Sequence, residues 1–403
     1  MIVNMANTVI TLLSLVVCFV AAEGRKTLKS KISAKDEGLC KSLIASQGYK
    51  CEEHKVTTTD GYILSLQRMP QGRSGRKADK PPVLLQHGIL TDAVPWIFNS
   101  PDQSLAFILA DNGFDVWLAN ARGTKYSRGH TSLNPNTPNY WDWSFDELAA
   151  NDLPASIEYV FKNTGQKLHY VGHSLGTLSV LAPLSQGKLV NWLRSAALLC
   201  PIAHLNQIPS KAMALAANFF LADVVYWLGI REFIHNGQYA TKLLARICSF
   251  PGMNCTDVMP LFTGNNCCIN SSKIVQYLDN EPQSTSTRNL IHLSQLTRSG
   301  KVSMYDYGNP LENMAHYGNI SPPLYDMKSI PKDFPLFLAH GGEDILSDVK
   351  DMNVLLEELK DHNWSKLTVL FRKEYAHNDF IFGVNAKQVV YDPMMAFLTL
   401  NSS

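Results

Sequence analysis

Hydrophobic and polar positions follow a repeating order along the chain: short apolar runs of strand length alternate with longer stretches whose apolar residues recur at helical spacing. Residues 54–59 and 62–69 are β-rich runs on either side of Asp60-Gly61, a turn pair, and predict a hairpin. The strand-like run 83–86 ends at His87-Gly88. A periodic stretch at 105–110 and a second strand-like run at 114–119 follow. The alternation continues through a helical stretch at 145–163, the run 168–171, a second helical stretch after Ser174, and the run 196–203. Short apolar strands separated by helices predict an α/β fold, a mostly parallel sheet with helices on both faces.

Residues 205–325 break this rhythm. It resumes with a strand-like run at 335–339, a helical stretch at 348–360, a run at 367–371 and a terminal helix from Ala386 onward. The expected division is therefore a core in two parts, 23–204 and 326–403, with 205–325 inserted as a cap. Within the insertion, residues 211–230 are almost wholly apolar and long enough to cross a bilayer. Asn218 and Asp223 interrupt the stretch, and a charge at bilayer depth costs about 3 kcal/mol or more. A span would also put core strands on opposite sides of a membrane. The expectation is a cap helix whose large side chains, Phe219, Phe220, Leu221, Tyr226 and Trp227 among them, are buried over a pocket.

The N-terminus bears on the compartment. Residues 8–22 carry no charge and are closed by small residues before Glu23-Gly24-Arg25-Lys26, which predicts a cleaved secretory signal over residues 1–22. The flank before it lacks Lys and Arg, but the run falls short of the roughly 20 residues that a spanning helix needs. Disulfides then become permissible. Cys18 lies in the signal, leaving Cys40, Cys51, Cys200, Cys248, Cys255, Cys267 and Cys268, an odd number. Cys200, in an apolar run, is the natural free thiol. Short loops favour the pairs Cys40–Cys51 and Cys248–Cys255, with one of Cys267 or Cys268 left without an obvious partner. Glycosylation sequons occur at Asn254, Asn270, Asn319, Asn363 and Asn401, and Pro322 weakens the third.

Composition excludes several classes. Lys and Arg total 36 against 35 Asp and Glu, a net charge of +1, so no basic field points to nucleic acid or an anionic membrane. Hydrophobic residues make up 45% and charged residues 18% of the 403, which rules out a disordered chain. The one Lys/Arg-dense stretch, 72–80, is rich in Gly and Ser and ends in Pro81-Pro82, as a solvated loop does.

Candidate chemistry centres on Gly172-His173-Ser174-Leu175-Gly176, placed between a strand and a helix. A serine on a tight strand-to-helix turn needs neighbours without side chains, so that its hydroxyl stands clear. The hydroxyl is a poor nucleophile until a base, held by a third group, takes its proton. Asp344, in His340-Gly-Gly-Glu-Asp344 after a strand, and His377, after the next strand, supply these in the order Ser, acid, His. Glu343 and Asp348 are rivals for the acid; His340, His316 and His173 are rivals for the base. An oxyanion would be held by backbone N–H groups of Leu175 and of Leu90, the latter in His87-Gly88-Ile89-Leu90. No cofactor motif or metal-ligand spacing occurs, and Cys267-Cys268 lacks the spacing of a zinc site.

These residues resemble the acid lipases, the gastric and lysosomal type with plant and insect relatives, within the α/β-hydrolases. The resemblance covers nearly the whole chain after residue 22 and includes residues 48–64, 87–90, 172–176, 305–308, 340–344 and 377–380, with Asn120-Ala-Arg-Gly123. Cys51-Glu-Glu-His54 and Cys267-Cys268 look most like the plant triacylglycerol lipases. The resemblance implies an α/β-hydrolase fold, a triad of Ser174, Asp344 and His377, an oxyanion hole at Leu90 and Leu175, and a cap with a mobile lid. Many relatives carry Gln where this chain has Leu175, and the cysteines at 248–268 outnumber those of mammalian members. The expected function is a serine hydrolase of lipid esters, acylglycerols foremost, working at a lipid–water interface and either secreted or in a vacuolar or lysosomal lumen. Acyl transfer and short-chain carboxylester hydrolysis are variants of that site. A non-catalytic lipid-binding protein on the same fold is the alternative from another class.

Overall fold

The computed structural model describes residues 38–234, 260–273, 276–277 and 280–402. Its strands are β1 (Glu52–Thr57), β2 (Tyr62–Met69), β3 (Lys80–Gln86), β4 (Phe114–Asn120), β5 (Gly129–His130), β6 (Leu168–His173), β7 (Leu193–Leu199), β8 (Glu232–Phe233), β9 (Thr285–Ser286), β10 (Leu336–Gly341) and β11 (Leu367–Arg372). The main sheet runs β1-β2-β4-β3-β6-β7-β10-β11, with β5 beside β2. From β4 to β11 all neighbours are parallel, and the β1–β2 hairpin joins the β4 edge antiparallel.

The central strands are apolar along their whole length because both faces are covered. Alternate side chains enter different cores, as the strand period of two requires. Trp117, Tyr170, Leu336 and Leu338 meet the helices Leu153–Thr164, Leu175–Ser185 and Val349–Glu358 on one face. Val116, Val171, Phe337 and Ala339 meet Leu105–Asp111 and Asp392–Leu400 on the other. The fold is therefore the predicted α/β sheet. Its register brings strand ends level: Gln86 lies opposite Gly172, and Leu199 opposite both His173 and Ala339. The loops that follow β3, β6, β7 and β10 consequently leave from one edge, where ligands of such sheets bind.

A buried cation ties the hairpin to this edge. Arg122, fully buried, donates from Nε to Asp152 Oδ1 at 2.8 Å and from Nη1 to Asp60 Oδ2 at 2.6 Å, with its guanidinium over the Tyr62 ring. Each charge is paired, as burial demands.

The described residues of 205–325 add no strand to the main sheet; β8 and β9 pair only with each other. The apolar stretch 211–230 is two helices rather than one, Lys211–Asn218 and Leu221–Trp227, broken at Phe220, which has φ +54°. Both lie against the helix Thr287–Ser299. The expectation that its large side chains are buried is overturned for most of them: Phe219 is 70% exposed and Trp227 86%, with Phe220, Val224 and Leu228 also open. A pair of short helices resting on a single helix covers one stripe of each and leaves the opposite stripes bare. No described helix is long and apolar enough to cross a membrane.

Cys40 and Cys51 form the expected disulfide, and Cys200 is the buried free thiol among the described residues. Cys267 and Cys268 are joined to each other, so neither is left over. The expectation of an unpaired partner assumed that a bond must close a loop. The turn here instead points both backbone N–H groups at one carboxylate, that of Asp379. Residues 1–22, Cys248, Cys255 and Asn254 lie outside the described residues.

Candidate active site

Ser174 sits between β6 and the helix Leu175–Ser185 at φ +54°, ψ −124°, a backbone state that residues with a Cβ rarely adopt. The turn is over-determined by its surroundings. Ser174 N donates to Leu199 O at 3.1 Å, and its carbonyl accepts from Thr177 N at 2.8 Å and Thr177 Oγ1 at 2.6 Å. A Cβ on Gly172 would come within 2.8 Å of Gly176 O, so β6 and the helix approach here only because position 172 is glycine.

Asp344 and His377 are brought together from the ends of β10 and β11. His377 Nδ1 lies 2.9 Å from Asp344 Oδ2 and 3.1 Å from Oδ1. A carboxylate only accepts, so Nδ1 carries the proton and Nε2 is left with its lone pair. Nε2 is buried with no hydrogen-bond partner among the described residues. Burial disfavours the Asp344 anion, but His377 and the N–H groups of Ser347 and Leu346 outweigh it and hold the carboxyl below its ordinary value.

The rivals have other places. Asp348 caps the helix Val349–Glu358 by accepting from Lys350 N. His316 stacks on Tyr307, and His340 lies against Phe371. His173 turns its Nε2 to the His377 carbonyl at 3.1 Å, the two rings 4.8 Å apart. Cys200 Sγ donates to the same carbonyl at 3.3 Å. Burial holds His173 neutral, its pKa pushed down to about 3, and pushes the Cys200 thiol up, so both remain donors. The His377 backbone is thus fixed from beneath.

The loop after β3 crosses beside the serine: a Cβ on Gly88 would stand 2.9 Å from Ser174 Cβ. His87 locks this loop, accepting at Nε2 from Ala121 N at 3.0 Å and donating from Nδ1 to Gly88 O at 2.8 Å. Burial pushes its pKa down to about 4, which keeps that tautomer neutral. Leu90 has φ +58°, and its carbonyl accepts from Gln283 N at 2.8 Å. Leu175 opens its helix, where first-turn N–H groups have no acceptor within the helix.

The alpha/beta-hydrolase-fold model matches residues 81–384, and the partial alpha/beta-hydrolase lipase region matches 40–100. Triacylglycerol lipase 2 of Arabidopsis thaliana is 48% identical over 364 residues, covering 89% of this chain and 87% of its own. Gastric triacylglycerol lipase of Mus musculus is 37% identical over 368 residues, covering 88% and 90%. The chain belongs to the acid lipase family of α/β-hydrolases. The fold of this acid lipase family member is also that of a monoglyceride lipase from Saccharomyces cerevisiae (TM-score 0.54, 16% identity, 88% of this chain and 96% of that one). A carboxyl esterase from Bacillus coagulans has it too (TM-score 0.56, 12% identity, 88% and 99%).

Two groups among the described residues gather three potential metal ligands: His173, Cys200 and His377, and Cys267, Cys268 and Asp379. Linear spacing had suggested none. In the first group His173 Nε2 and Cys200 Sγ are engaged on the His377 carbonyl and His377 Nδ1 on Asp344, which leaves His377 Nε2 open; the second group's donors are engaged in a disulfide and in backbone hydrogen bonds.

Residues that sequence reasoning missed support the His377 loop. Asp379 accepts from Ala376 N, Cys267 N and Cys268 N, while Thr263 O accepts from His377 N and Asn266 Oδ1 from Asn378 N. Asp379 stands two positions after His377, and an acid placed directly before the apolar run 380–382 was the available signal.

Proposed function

We propose that the protein is a secretory-pathway lipase that hydrolyses carboxylic esters of lipids, acylglycerols foremost, through Ser174, His377 and Asp344. The observation that carries this reading is the Asp344–His377 hydrogen bond, which leaves an unpartnered Nε2 at the sheet edge where the strained Ser174 turn lies. Ser174 Oγ attacks the ester carbonyl carbon as His377 Nε2 takes its proton. Asp344 stabilises the imidazolium, and the N–H groups of Leu90 and Leu175 hold the oxyanion. Collapse breaks the bond to the alcohol, which leaves with the proton from His377. Water then attacks the acyl-enzyme with the same base and releases the fatty acid. The names of the relatives, triacylglycerol lipases, support the substrate class.

Residues 205–325 act as the cap over this site, and their bare apolar stripe supports work at a lipid–water interface. The leader at 1–22 and the Cys40–Cys51 disulfide support a secreted protein or one of a vacuolar or lysosomal lumen. Asn270 and Asn319 are exposed, and Asn270, with no proline after its sequon, is the preferred glycosylation position. Asn363 and Asn401 are half-buried, with Nδ2 donating to Asp333 and to Phe397 O.

Replacement of Ser174 by Ala tests the reading. Hydrolysis of emulsified triacylglycerol and covalent labelling by a serine-directed phosphonate should both vanish while thermal stability stays that of the parent. A variant retaining a tenth of parental turnover would remove Ser174 from the role of nucleophile.

A further inference from the structure

The cap touches the Leu90 loop through two acids. Asp92 and Glu281, 189 residues apart, are each 1% exposed, and Asp92 N donates to Glu281 Oε1 at 3.1 Å. Asp92 Oδ1 accepts from Val94 N at 2.7 Å. The remaining oxygens, Asp92 Oδ2 and Glu281 Oε2, make no well-formed hydrogen bond among the described residues, although the Gln283 amide lies near enough to Glu281 to oppose its rise. Two buried carboxylates with facing lone pairs repel, whereas a single proton between them makes a hydrogen bond.

The contact continues directly to the proposed oxyanion donor. Two residues beyond Glu281, Gln283 N donates to Leu90 O at 2.8 Å, and Gln283 Oε1 accepts from Lys125 N at 2.9 Å. From the core side, Asn120 Oδ1 accepts from Ala93 N at 3.1 Å. Residues 88–92 are therefore held between β4 and the cap segment 280–283. We propose that Glu281 is a positioning residue: its proton, shared with Asp92, clamps the cap to the loop and aims the Leu90 N–H at the oxyanion. This rests on the reading of Leu90 as a donor.

Burial, first, raises both acids. The bond between them works in opposite senses, lowering Asp92 and raising Glu281, so the proton resides on Glu281 and Asp92 accepts it. Asp92 is pushed up to about 6, and Glu281 stays well above its ordinary value. The titratable groups facing the pair are Lys125, whose charge favours the Asp92 anion, and Tyr277, whose phenol burial and the two acids keep neutral. A raised acid contributes while it holds its proton, so the clamp is complete in acid and is lost as pH rises through the Glu281 value. Loss of the proton puts two anions in contact and drives the cap segment from the loop.

The test is E281Q. Its amide oxygen can accept from Asp92 N, and its NH₂ can donate to Asp92 at any pH. The full-length protein and the variant are compared by hydrogen–deuterium exchange of residues 88–92 and by kcat on a soluble ester, each across pH. In the parent, exchange of the loop should rise and kcat should fall together on the alkaline side. In E281Q both changes should be absent from that pH range, with KM following the parent. E281A should lower kcat about tenfold on the acid side, where the parent's clamp is complete, less than the ~10²–10³ for deleting an oxyanion donor outright, and the difference should vanish on the alkaline side. Superimposable exchange profiles for parent and E281Q would overturn the clamp. Exchange that differs while kcat does not would leave the clamp standing and overturn Leu90 as the donor it serves, and with it the positioning role.

Discussion

Gly176 packs so closely on Gln86 that a Cβ at that position would lie 2.6 Å from the Gln86 carbonyl oxygen and 2.8 Å from that of His87. Neither atom can yield, since both belong to the backbone at the end of β3. Gly176→Ala should therefore push the Ser174 turn away from the Leu90 loop. The expected cost is about 1–3 kcal/mol of stability, as for other overpacked interiors. Phosphonate labelling of the surviving folded protein should also slow by at least tenfold. Labelling at the parental rate would mean that the turn relaxes without moving the serine.

Asp344 and Asp348 separate chemistry from capping. Asp344→Asn cannot stabilise the imidazolium and leaves geometry largely intact, so kcat should fall on the order of 10⁴-fold, as for the same change in serine proteases. Asp348→Ala removes only the acceptor for Lys350 N and should cost about 1 kcal/mol of stability with little change in kcat. Reversed effects in a hydrolysis assay would transfer the role to Asp348.

What the sequence disclosed follows from the physics of each element. Central parallel strands such as β4 and β6 are buried on both faces and read as continuous apolar runs, so their order was visible. The turn at 172–176 was visible because its glycines are sterically obligatory. Asp344 and His377 stood at strand ends; chain order set His340 aside, since it precedes the acid, but could not exclude Glu343 or Asp348. The Asp92–Glu281 contact spans 189 residues and carries no local pattern. The cap misled for a different reason: an apolar stretch states how much surface wants cover but not what covers it, and the left-handed break at Phe220 halves the helix that should have been buried whole.

Asp379 offers a test of the support beneath His377. Its carboxylate satisfies three backbone N–H groups, of Ala376, Cys267 and Cys268. Asp379→Ala strands the buried Ala376 N–H at about 1–3 kcal/mol, while those of the exposed Cys267 and half-buried Cys268 lose their acceptor at smaller cost. Melting temperature should drop by several degrees, and kcat should fall with KM nearly unchanged, because the loop carries the base rather than the lipid. A variant with parental kcat would show that the remaining bonds of this loop, from His377 N to Thr263 O and from Asn378 N to Asn266, suffice.

Stability should favour acid. Burial pushes Asp146 from 3.8 to about 6, against the opposing effect of the Tyr325 hydroxyl and Tyr305 N–H that it accepts from. Its contribution is complete below about pH 4 and is lost as pH rises through 6, on the order of 3 kcal/mol by neutrality. Melting temperature should therefore fall from mildly acidic to neutral pH. Asp146→Asn keeps its amide oxygen for the Tyr305 N–H and turns its NH₂ to the Tyr325 hydroxyl, which can rotate to accept it, so the site loses its ionisation and the variant should flatten that fall. An unchanged slope in the variant would assign the dependence to other buried acids, Asp92 and Glu281 first.

The bare stripe of the cap makes the sharpest distinction between a surface enzyme and an ordinary esterase. Phe219 at 70% and Trp227 at 86% exposure are held out in water by two short helices whose other faces already rest on Thr287–Ser299. Covering a large apolar side chain is worth ~1.5–3 kcal/mol, so a lipid surface that accepts both would gain enough to hold the protein on it. A double variant, Phe219→Ser with Trp227→Ser, should lose at least tenfold of its activity on emulsified long-chain esters at low interfacial area. The deficit should narrow as interfacial area is raised, because weaker adsorption is overcome by more surface. Hydrolysis of a short, monomeric ester needs no surface and should fall far less. Equal losses on both substrates, independent of interfacial area, would instead place the two side chains in the path of the acyl chain and count against an outward-facing lipid contact.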